Sequence, residues 1–313
     1  MPWTPDNLTV KGALAAFHQA LEVSPAVYAN HCMTIRSTTD TEAFVFPGFQ
    51  PTPRQFLDSR QFQGARDFRY NVTNNEYELS MVTTRKTWED DQTGLINARY
   101  SETGEVWGAY KDSLFSTLLT AGDGAGLGWD GTTFHSNSHT AIGGSGVFKN
   151  KPDTITGITD STGLLGGMTT ANAQSVIGRI RFAFVGFNDD QGRPFNFSAI
   201  RNMRAVIPAG HERAVAEASS ASIVVNTSNV YIPAILQGYD VLPYLTTQTE
   251  LYFSALGSVR KPFIYQERTP LEVIVLTSPD AVALHNGVML LTRQRFVLTY
   301  GEPRRSILQV VSA

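Results

Sequence analysis

The chain has 313 residues, 42% hydrophobic and 17% charged, enough for one large domain or two medium ones with real cores. Its net charge of −3 argues against general nucleic-acid binding, and its low charge, with plentiful Thr, Ser, Asn and Gly, suits contact with other protein. There is no run of about 18 apolar residues for a transmembrane helix, no signal-peptide pattern after Met1, and only one cysteine, Cys32, so no intrachain disulfide can form.

Without an export signal, the Asn-x-Ser/Thr sequons at Asn7, Asn71, Asn196 and Asn226 read as chance matches, and cytoplasmic synthesis is the default. Asn7 to Leu21 predicts an amphipathic helix, capped by Asp6 or Asn7, with a stripe of Val10, Leu14, Phe17 and Leu21. Val27 to Ile35 and Glu42 to Val45 predict short strands, and Pro47, Pro51 and Pro53 punctuate an extended stretch. Residues 54–67 carry Arg54, Arg60 and Arg66 with Asp58 and Asp67.

The stretch from Phe68 to Trp88 alternates with a period of two. Phe68, Tyr70 and Val72 precede Thr73-Asn74-Asn75, and Tyr77, Leu79 and Met81 follow. This predicts two strands joined by a tight turn. Glu89-Asp90-Asp91 then puts negative charge where a helix N-terminus favours it. From Leu95, the positions Val106, Tyr110, Leu114 and Leu118 predict one long amphipathic helix, with Trp107 and Phe115 widening its stripe and Gly122 and Gly124 ending it. Gly94, Gly104 and Gly108 weaken that helix locally, so it needs tertiary packing.

Ala121 to Leu165 is Gly-rich and aperiodic, a long loop of the functional or disordered kind. Thr170 to Phe182 predicts a helix, Asn188 to Gly192 a turn, Met203 to Ile207 a buried strand, and Pro208 to Ala218 a helix starting on proline. Residues 219–236 hold strand-like runs such as Ile223-Val224-Val225 and Val230-Tyr231-Ile232. Leu251 to Ser254, Phe263 to Tyr265, Leu271 to Leu276, Val288 to Leu291, Arg295 to Tyr300 and Ser306 to Val311 predict further strands. No internal repeat is present. Helices and strands interleave irregularly, which fits an α+β chain.

Several motifs carry possible chemistry. His135 and His139 are spaced as two metal ligands would be on a helix face, but they lie in a run of poor helix propensity with no Glu after His135, and the plain reading is a polar loop. The glycines from Gly122 to Gly128 follow a helix, whereas a dinucleotide turn follows a strand, so they read as a helix stop and bend. Glu89-Asp90-Asp91 reads as a helix cap before a cation site. Cys32 has no basic partner nearby in sequence and reads as a small core residue. No catalytic, cofactor-binding or metal-ligating residue is assigned.

Four stretches, in order, carry a family resemblance. The first is Phe46-Pro47-x-Phe49 with Pro51-Thr52-Pro53-Arg54-Gln55-Phe56-Leu57. The second is Tyr70-Asn71-Val72, then Asn75-x-Tyr77-Glu78-Leu79, then Thr84-Arg85-Lys86-x-Trp88-Glu89-Asp90-Asp91-x-x-Gly94. The third is Gly128-Trp129-Asp130-Gly131-x-x-Phe134-His135-x-x-x-His139, where Thr140 follows instead of the family's Pro. The fourth is Leu251-Tyr252 through Arg260-Lys261-Pro262-Phe263-Ile264-Tyr265-Gln266-Glu267-Arg268. Together they resemble the major head subunit of Mu-like phages, a branch of the HK97-type capsid proteins.

The resemblance implies an HK97-like α+β capsid fold. It has an N-terminal arm with the first strands (1–45), an extended E-loop hairpin (46–91), a peripheral domain with a long spine helix and Gly-rich loop (92–169), an axial domain (170–250) and a return to the peripheral domain (251–313). The implied function is self-assembly, through hexamers and pentamers, into the icosahedral shell around a tailed-phage double-stranded DNA genome. No enzyme activity and no cofactor are implied. Arg54, Arg60, Arg66, Arg69, Tyr70, Glu76, Tyr77, Glu78, Arg85 and Lys86 are the implied inter-subunit contacts.

Only about 25 residues precede the first predicted strand, so a separate scaffold protein is expected rather than a built-in segment. A portal, decoration proteins, packaged DNA bound without sequence specificity, no membrane, and a place in the virion complete the expectation. Some relatives crosslink a Lys to an Asn of a neighbour; Lys86 is near the E-loop, but no residue pattern supports crosslinking here. Two other readings stand beside this one: an encapsulin-like cellular compartment, and a metal-dependent enzyme using His135, His139 and the acidic cluster.

Overall fold

The computed structural model describes residues 5–47, 55–56, 67–91, 93–140, 147–158, 168–189, 192–196, 198–220, 223–224, 227–228 and 236–312. The first half holds α1 (Asn7–Val23), α2 (Val27–His31), β1 (Cys32–Arg36), β2 (Thr41–Pro47), β3 (Asp67–Thr73), β4 (Asn75–Thr84), α3 (Arg85–Glu89), α4 (Leu95–Ala121), β5 (His139–Thr140) and β6 (Val147–Phe148). The second holds α5 (Thr170–Gly186), β7 (Met203–Ile207), α6 (Glu212–Ser220), β8 (Ile223–Val224), β9 (Thr227–Ser228), β10 (Leu236–Val241), β11 (Glu250–Ala255), β12 (Phe263–Leu276), α7 (Pro279–His285), β13 (Gly287–Tyr300) and β14 (Ser306–Val310).

The long helix α4 starts where the acidic cluster predicts. The Asp91 carboxylate accepts hydrogen bonds from the Leu95 and Ile96 amides at 2.9 and 3.2 Å, which satisfies donors left open at a helix start. Its buried face overlaps the predicted stripe at Trp107 and Phe115, with Leu114 and Leu118 half-buried against the core, and adds Ile96, Tyr100 and Leu119; Val106, by contrast, is 59% exposed. The hidden signal was the glycine pair. A Cβ on Gly104 would stand 2.3 Å from the Phe17 carbonyl oxygen, and one on Gly108 would stand 2.3 Å from Ser24 Cβ. These glycines let α1 lie directly on α4, burying Ala13 and Phe17 with Ile96 and Tyr100. What costs helix propensity here permits close helix packing.

Two four-stranded sheets carry the rest. One has the order β1–β12–β13–β4 and the other β10–β7–β11–β14. In the first, β1 runs parallel to β12 and the remaining pairs are antiparallel. A core of Phe115, Leu119, Phe134, Phe263 and Tyr300 joins it to Val206, Tyr252 and Leu308 of the second sheet. The second sheet is covered by α5 and α6 through Ile177, Ile180, Phe184, Val215 and Ala218.

Several expectations are corrected. Val27 to Ile35 is not one strand. Asp112 of α4 accepts hydrogen bonds from the Val27 and Tyr28 amides at 3.1 and 2.9 Å, which caps α2 before β1 begins. Phe263 to Tyr265 and Leu271 to Leu276 are parts of the single strand β12, and Val288 to Leu291 and Arg295 to Tyr300 are parts of β13, with bulges between Glu267 and Thr269 and between Thr269 and Glu272. A bulge breaks the alternation a reader follows without ending the strand. The short helix α7, capped by Ser278, was not foreseen. The run from Val230 to Ile232, and Val225, lie outside the described residues.

Most consequentially, the alternating strands on either side of Asn74 do not form a hairpin with each other. β3 pairs with β2, from Thr41↔Thr73 to Pro47↔Asp67. β4 pairs with β13, from Phe296↔Asn75 to Gly287↔Thr84. The chain leaves one sheet and enters another at a single residue.

Candidate functional site

Among the described residues, the β2–β3 ribbon is a two-stranded sheet of its own. Thr41, Ala43, Val45, Arg69, Asn71 and Thr73 are exposed, and Phe44 and Tyr70 are half-buried. Val72 is the one buried side chain among those described in the ribbon, and Tyr70 Oη lies 3.1 Å from Thr299 Oγ1 of β13. A two-stranded ribbon buries too little of itself to be stable alone, so this element needs a partner surface along most of its length.

Its root is tied firmly. β1 and β4 occupy opposite edges of the first sheet, and the ribbon springs from both. They meet the hairpin at the row Arg36, Glu267, Phe296 and Asn75, beside the β12 bulges. Ser37 and Asn74, the two feet, come together there. Asn74 Nδ2 lies 3.0–3.1 Å from Ser37 Oγ and the Thr39 and Asp40 carbonyls, and Gln266 Nε2 donates to Asn74 Oδ1 at 2.7 Å. Glu42 Oε1 accepts from the Thr38 and Thr39 amides at 2.8 and 3.0 Å and from Ser37 Oγ at 3.1 Å. The Thr38 amide first, then the Thr39 amide and the Thr39 and Ser37 hydroxyls, hold the Glu42 carboxyl down to about 2, because each stabilises the charged form. Arg295 Nη2 pairs with Asp40 Oδ1 at 2.7 Å.

The implied contact residues fall in different places. Arg54, Arg60 and Arg66 lie outside the described residues. Arg69 is exposed on the ribbon, and Tyr70 sits midway along it, opposite Phe44, where its hydroxyl meets Thr299 of β13. Glu76 and Glu78 are exposed on β4, where Arg293 of the neighbouring strand stands 2.5 Å from Glu76. Arg85 is exposed and pairs with Glu89 at 2.7 Å, and Lys86 is exposed beside it. Tyr77 turns the other way: its ring packs on Phe296 at 4.5 Å and Tyr110 at 5.5 Å, so it serves the subunit's own core. Glu42 and Asn74 were missed. The polar run Ser37-Thr38-Thr39-Asp40 ahead of Glu42, and the paired Asn74-Asn75, were the available signals, but neither says which distant strands they join.

The histidine pair is not a solvent-facing loop, and this corrects the polar-loop reading. His139 is fully buried, with Nδ1 2.6 Å from Asp130 Oδ2, Nε2 3.1 Å from the Phe134 carbonyl, and its ring stacked on Phe148 at 4.5 Å. His135 Nε2 lies 2.9 Å from Ser306 Oγ, and burial, helped by His139 and Lys151, pushes its pKa down to about 3. With both His139 nitrogens engaged, the pair does not converge on one ion, and no group of three metal-ligating side chains occurs among the described residues. The motif around Asp130 and Phe134 is a packing device that folds the Gly-rich segment over the end of α4. Cys32 is buried in the core, as expected, and burial pushes its thiol well up.

A second polar cluster ties α2, just ahead of β1, to the second sheet. Arg204 holds Asp240 through two hydrogen bonds of 3.0 and 2.9 Å, and His31 Nε2 donates to Asp240 at 3.0 Å while its Nδ1 meets Ser254 Oγ at 3.0 Å. Burial lowers the His31 pKa against the pull of Asp240, which leaves a neutral imidazole suited to one donated and one accepted bond.

A family model described as the Mu-like prophage major head subunit gpT matches residues 7–163. The Mu-like prophage FluMu major head subunit of Haemophilus influenzae is 26% identical over 157 residues, 50% of this chain and 49% of that protein. The major capsid protein of Escherichia phage Mu is 26% identical over 123 residues, 39% of this chain and 40% of that protein. The chain thus aligns with about half the length or less of the curated relatives it matches. Among solved structures, the procapsid of bacteriophage JBD30 superposes over 97% of this chain and 74% of that one, with a TM-score of 0.53 and 18% identity. The fold in common is the α+β, HK97-like capsid fold.

Proposed function

The chain belongs to the Mu-like prophage major head subunit gpT family, and from that premise we propose that it is a major head protein that self-assembles into the icosahedral shell of a tailed phage and resides in the virion. The observation that carries this reading is the β2–β3 ribbon, anchored at its root and exposed at Thr41, Ala43, Val45, Arg69, Asn71 and Thr73. In a shell subunit such a ribbon is completed by a neighbouring copy. Repeating one contact in closed rings, and again between rings, adds many modest contacts into a stable whole.

The β2–β3 ribbon is the reaching arm, starting at Thr41, a few residues ahead of the 46–91 stretch, and β4 is held back in the body by β13. Residues 1–45 form the N-terminal arm and first strands, 92–169 the peripheral domain around α4, 170–250 the axial domain, and 251–313 the return. The role is structural, in keeping with a family of capsid proteins. A separate scaffold, a portal, decoration proteins and double-stranded DNA held without sequence-specific binding are the partners this role calls for. No helix among the described residues is long and apolar enough to cross a membrane. The family match favours this reading over a cellular compartment.

The test is electron microscopy of the sedimented recombinant protein, with and without co-expressed neighbouring genes. Closed shells, or rings of five and six subunits, are expected. A monodisperse monomer or dimer under every condition would sink the reading.

A further inference from the structure

The shell reading accounts for the ribbon but not for the elaborate root from which it springs. Six polar side chains, Ser37, Thr39, Asp40, Glu42, Asn74 and Gln266, are gathered from three backbone segments, and Arg295 reaches them from a fourth. Most exposed turns of this length need one or two such bonds. Here the buried Asn74 amide bridges both feet of the ribbon and is in turn gripped by Gln266 of β12. Glu42 gathers the turn Ser37-Thr38-Thr39 onto one oxygen. Asp40, at the tip of that turn, is held by Arg295 of β13.

The consequence is geometric. A two-stranded ribbon is itself pliable, and rotation at its base is magnified over its length. β2 and β3 each run seven residues, roughly 23 Å at strand rise. Tilting the root by about 10° therefore moves the far end of these strands by about 4 Å, enough to lose register with a partner surface. A knot that binds both feet to the middle of β12 and β13 removes that freedom before the partner arrives, so the ordering cost is met within the subunit.

We propose that Glu42 and Asn74 are positioning residues for subunit joining: the knot they form aims the β2–β3 ribbon at the neighbouring copy. This rests on the shell reading. The residues themselves need not touch the neighbour; they act through the direction of the ribbon.

The experiment compares the full chain with Glu42→Ala, Asn74→Ala and Glu42→Gln. The Gln side chain keeps an oxygen that can accept from the Thr38 and Thr39 amides, so Glu42→Gln is the conservative control. Two quantities are read: amide hydrogen exchange along 41–47 and 67–73 relative to α4, and the fraction of protein in shells or rings. The expected result for both Ala variants is exchange in the ribbon faster by about tenfold or more with α4 unchanged, together with a several-fold or greater loss of assembled protein. Glu42→Gln is expected to restore both. Unchanged ribbon exchange in both Ala variants overturns the proposal, because the knot then does not hold the ribbon. Wild-type assembly by an Ala variant whose ribbon exchanges faster overturns it too, because aim is then not needed. If wild-type protein itself forms neither shells nor rings, the shell reading fails and takes the joining role with it, an outcome separate from the other two.

Discussion

The β2–β3 ribbon and the β12–β13 hairpin contain the same kind of sequence, alternating and rich in aromatic and β-branched residues, yet they behave as opposites. The hairpin's two strands of 14 residues each have a neighbour on both sides, β1 and β4. One face lies on α4 and α1, where Leu290 is fully buried among Leu271, Val273 and Val275. Among the described residues no third strand pairs with the ribbon, and Val45 is 52% exposed. Pattern says that a segment can be a strand. Whether it is body or arm depends on what covers it.

The largest expected effect breaks the hairpin side of this contrast. Phe263 is fully buried and packs edge-on against Phe115 at 5.2 Å. Phe263→Ala is expected to destabilise the subunit by about 3–5 kcal/mol in chemical denaturation. A loss below about 1 kcal/mol would mean the hairpin core is not the scaffold described. Next comes the α1–α4 contact. Gly104→Ala gains helix propensity of up to about 1 kcal/mol but puts a methyl group into the Phe17 carbonyl. A net loss of about 1–3 kcal/mol is expected, and a stabilised variant would show that the helices are not packed this closely.

Acid separates the two regions by another route. Burial holds the His135 pKa near 3 in the fold against an ordinary imidazole value of 6.5. Between these values the unfolded chain binds the extra proton, so stability is full above about pH 6.5 and falls as pH drops, by about 1.4 kcal/mol per unit for this residue. His31, also pushed down by burial, acts in the same direction. Glu42 works lower. Its pKa is about 2 against 4.5, so its contribution is intact above 4.5 and is lost as pH falls towards 2. From pH 6.5 to 4.5 the body therefore weakens while the ribbon root stays tied. Urea melts over this range, read beside ribbon amide exchange, check it; a ribbon root that loosens before the body would contradict it. The smallest effect is on the arm: Val45→Ala is expected to change subunit stability by less than about 0.5 kcal/mol, whatever it does to assembly.

Much of the fold was legible. Asp91 before an apolar-periodic run announced α4, and Met203 to Ile207 read correctly as a buried strand, because caps and periodicity are local. The face of α4 was read correctly at Trp107, Phe115, Leu114 and Leu118 and missed at its N-terminal half, where Ile96 and Tyr100 are buried and Val106 is exposed. Val106 and Tyr110 look like core from spacing alone, and the actual docking face is marked by two glycines that add no hydrophobicity. The candidate site was less legible still. Arg69 and Glu78 could be named as exposed positions, but Tyr77, in the same alternating run, turned inward onto Phe296. The root of the ribbon depends on Gln266 and Arg295, 192 and 255 residues from their partners Asn74 and Asp40.

By itself, then, the sequence determined the α+β character, the long helix and its acidic start, the strand periodicity, and the motifs that resemble a head-subunit family. These depend on backbone geometry and side chains within a turn or two. Only the tertiary structure decided that Asn74 divides an arm from a body instead of turning a hairpin. Strand pairing is chosen among distant segments by which faces can be buried, and here β13 offered β4 a covered sheet while β2 offered β3 only a ribbon.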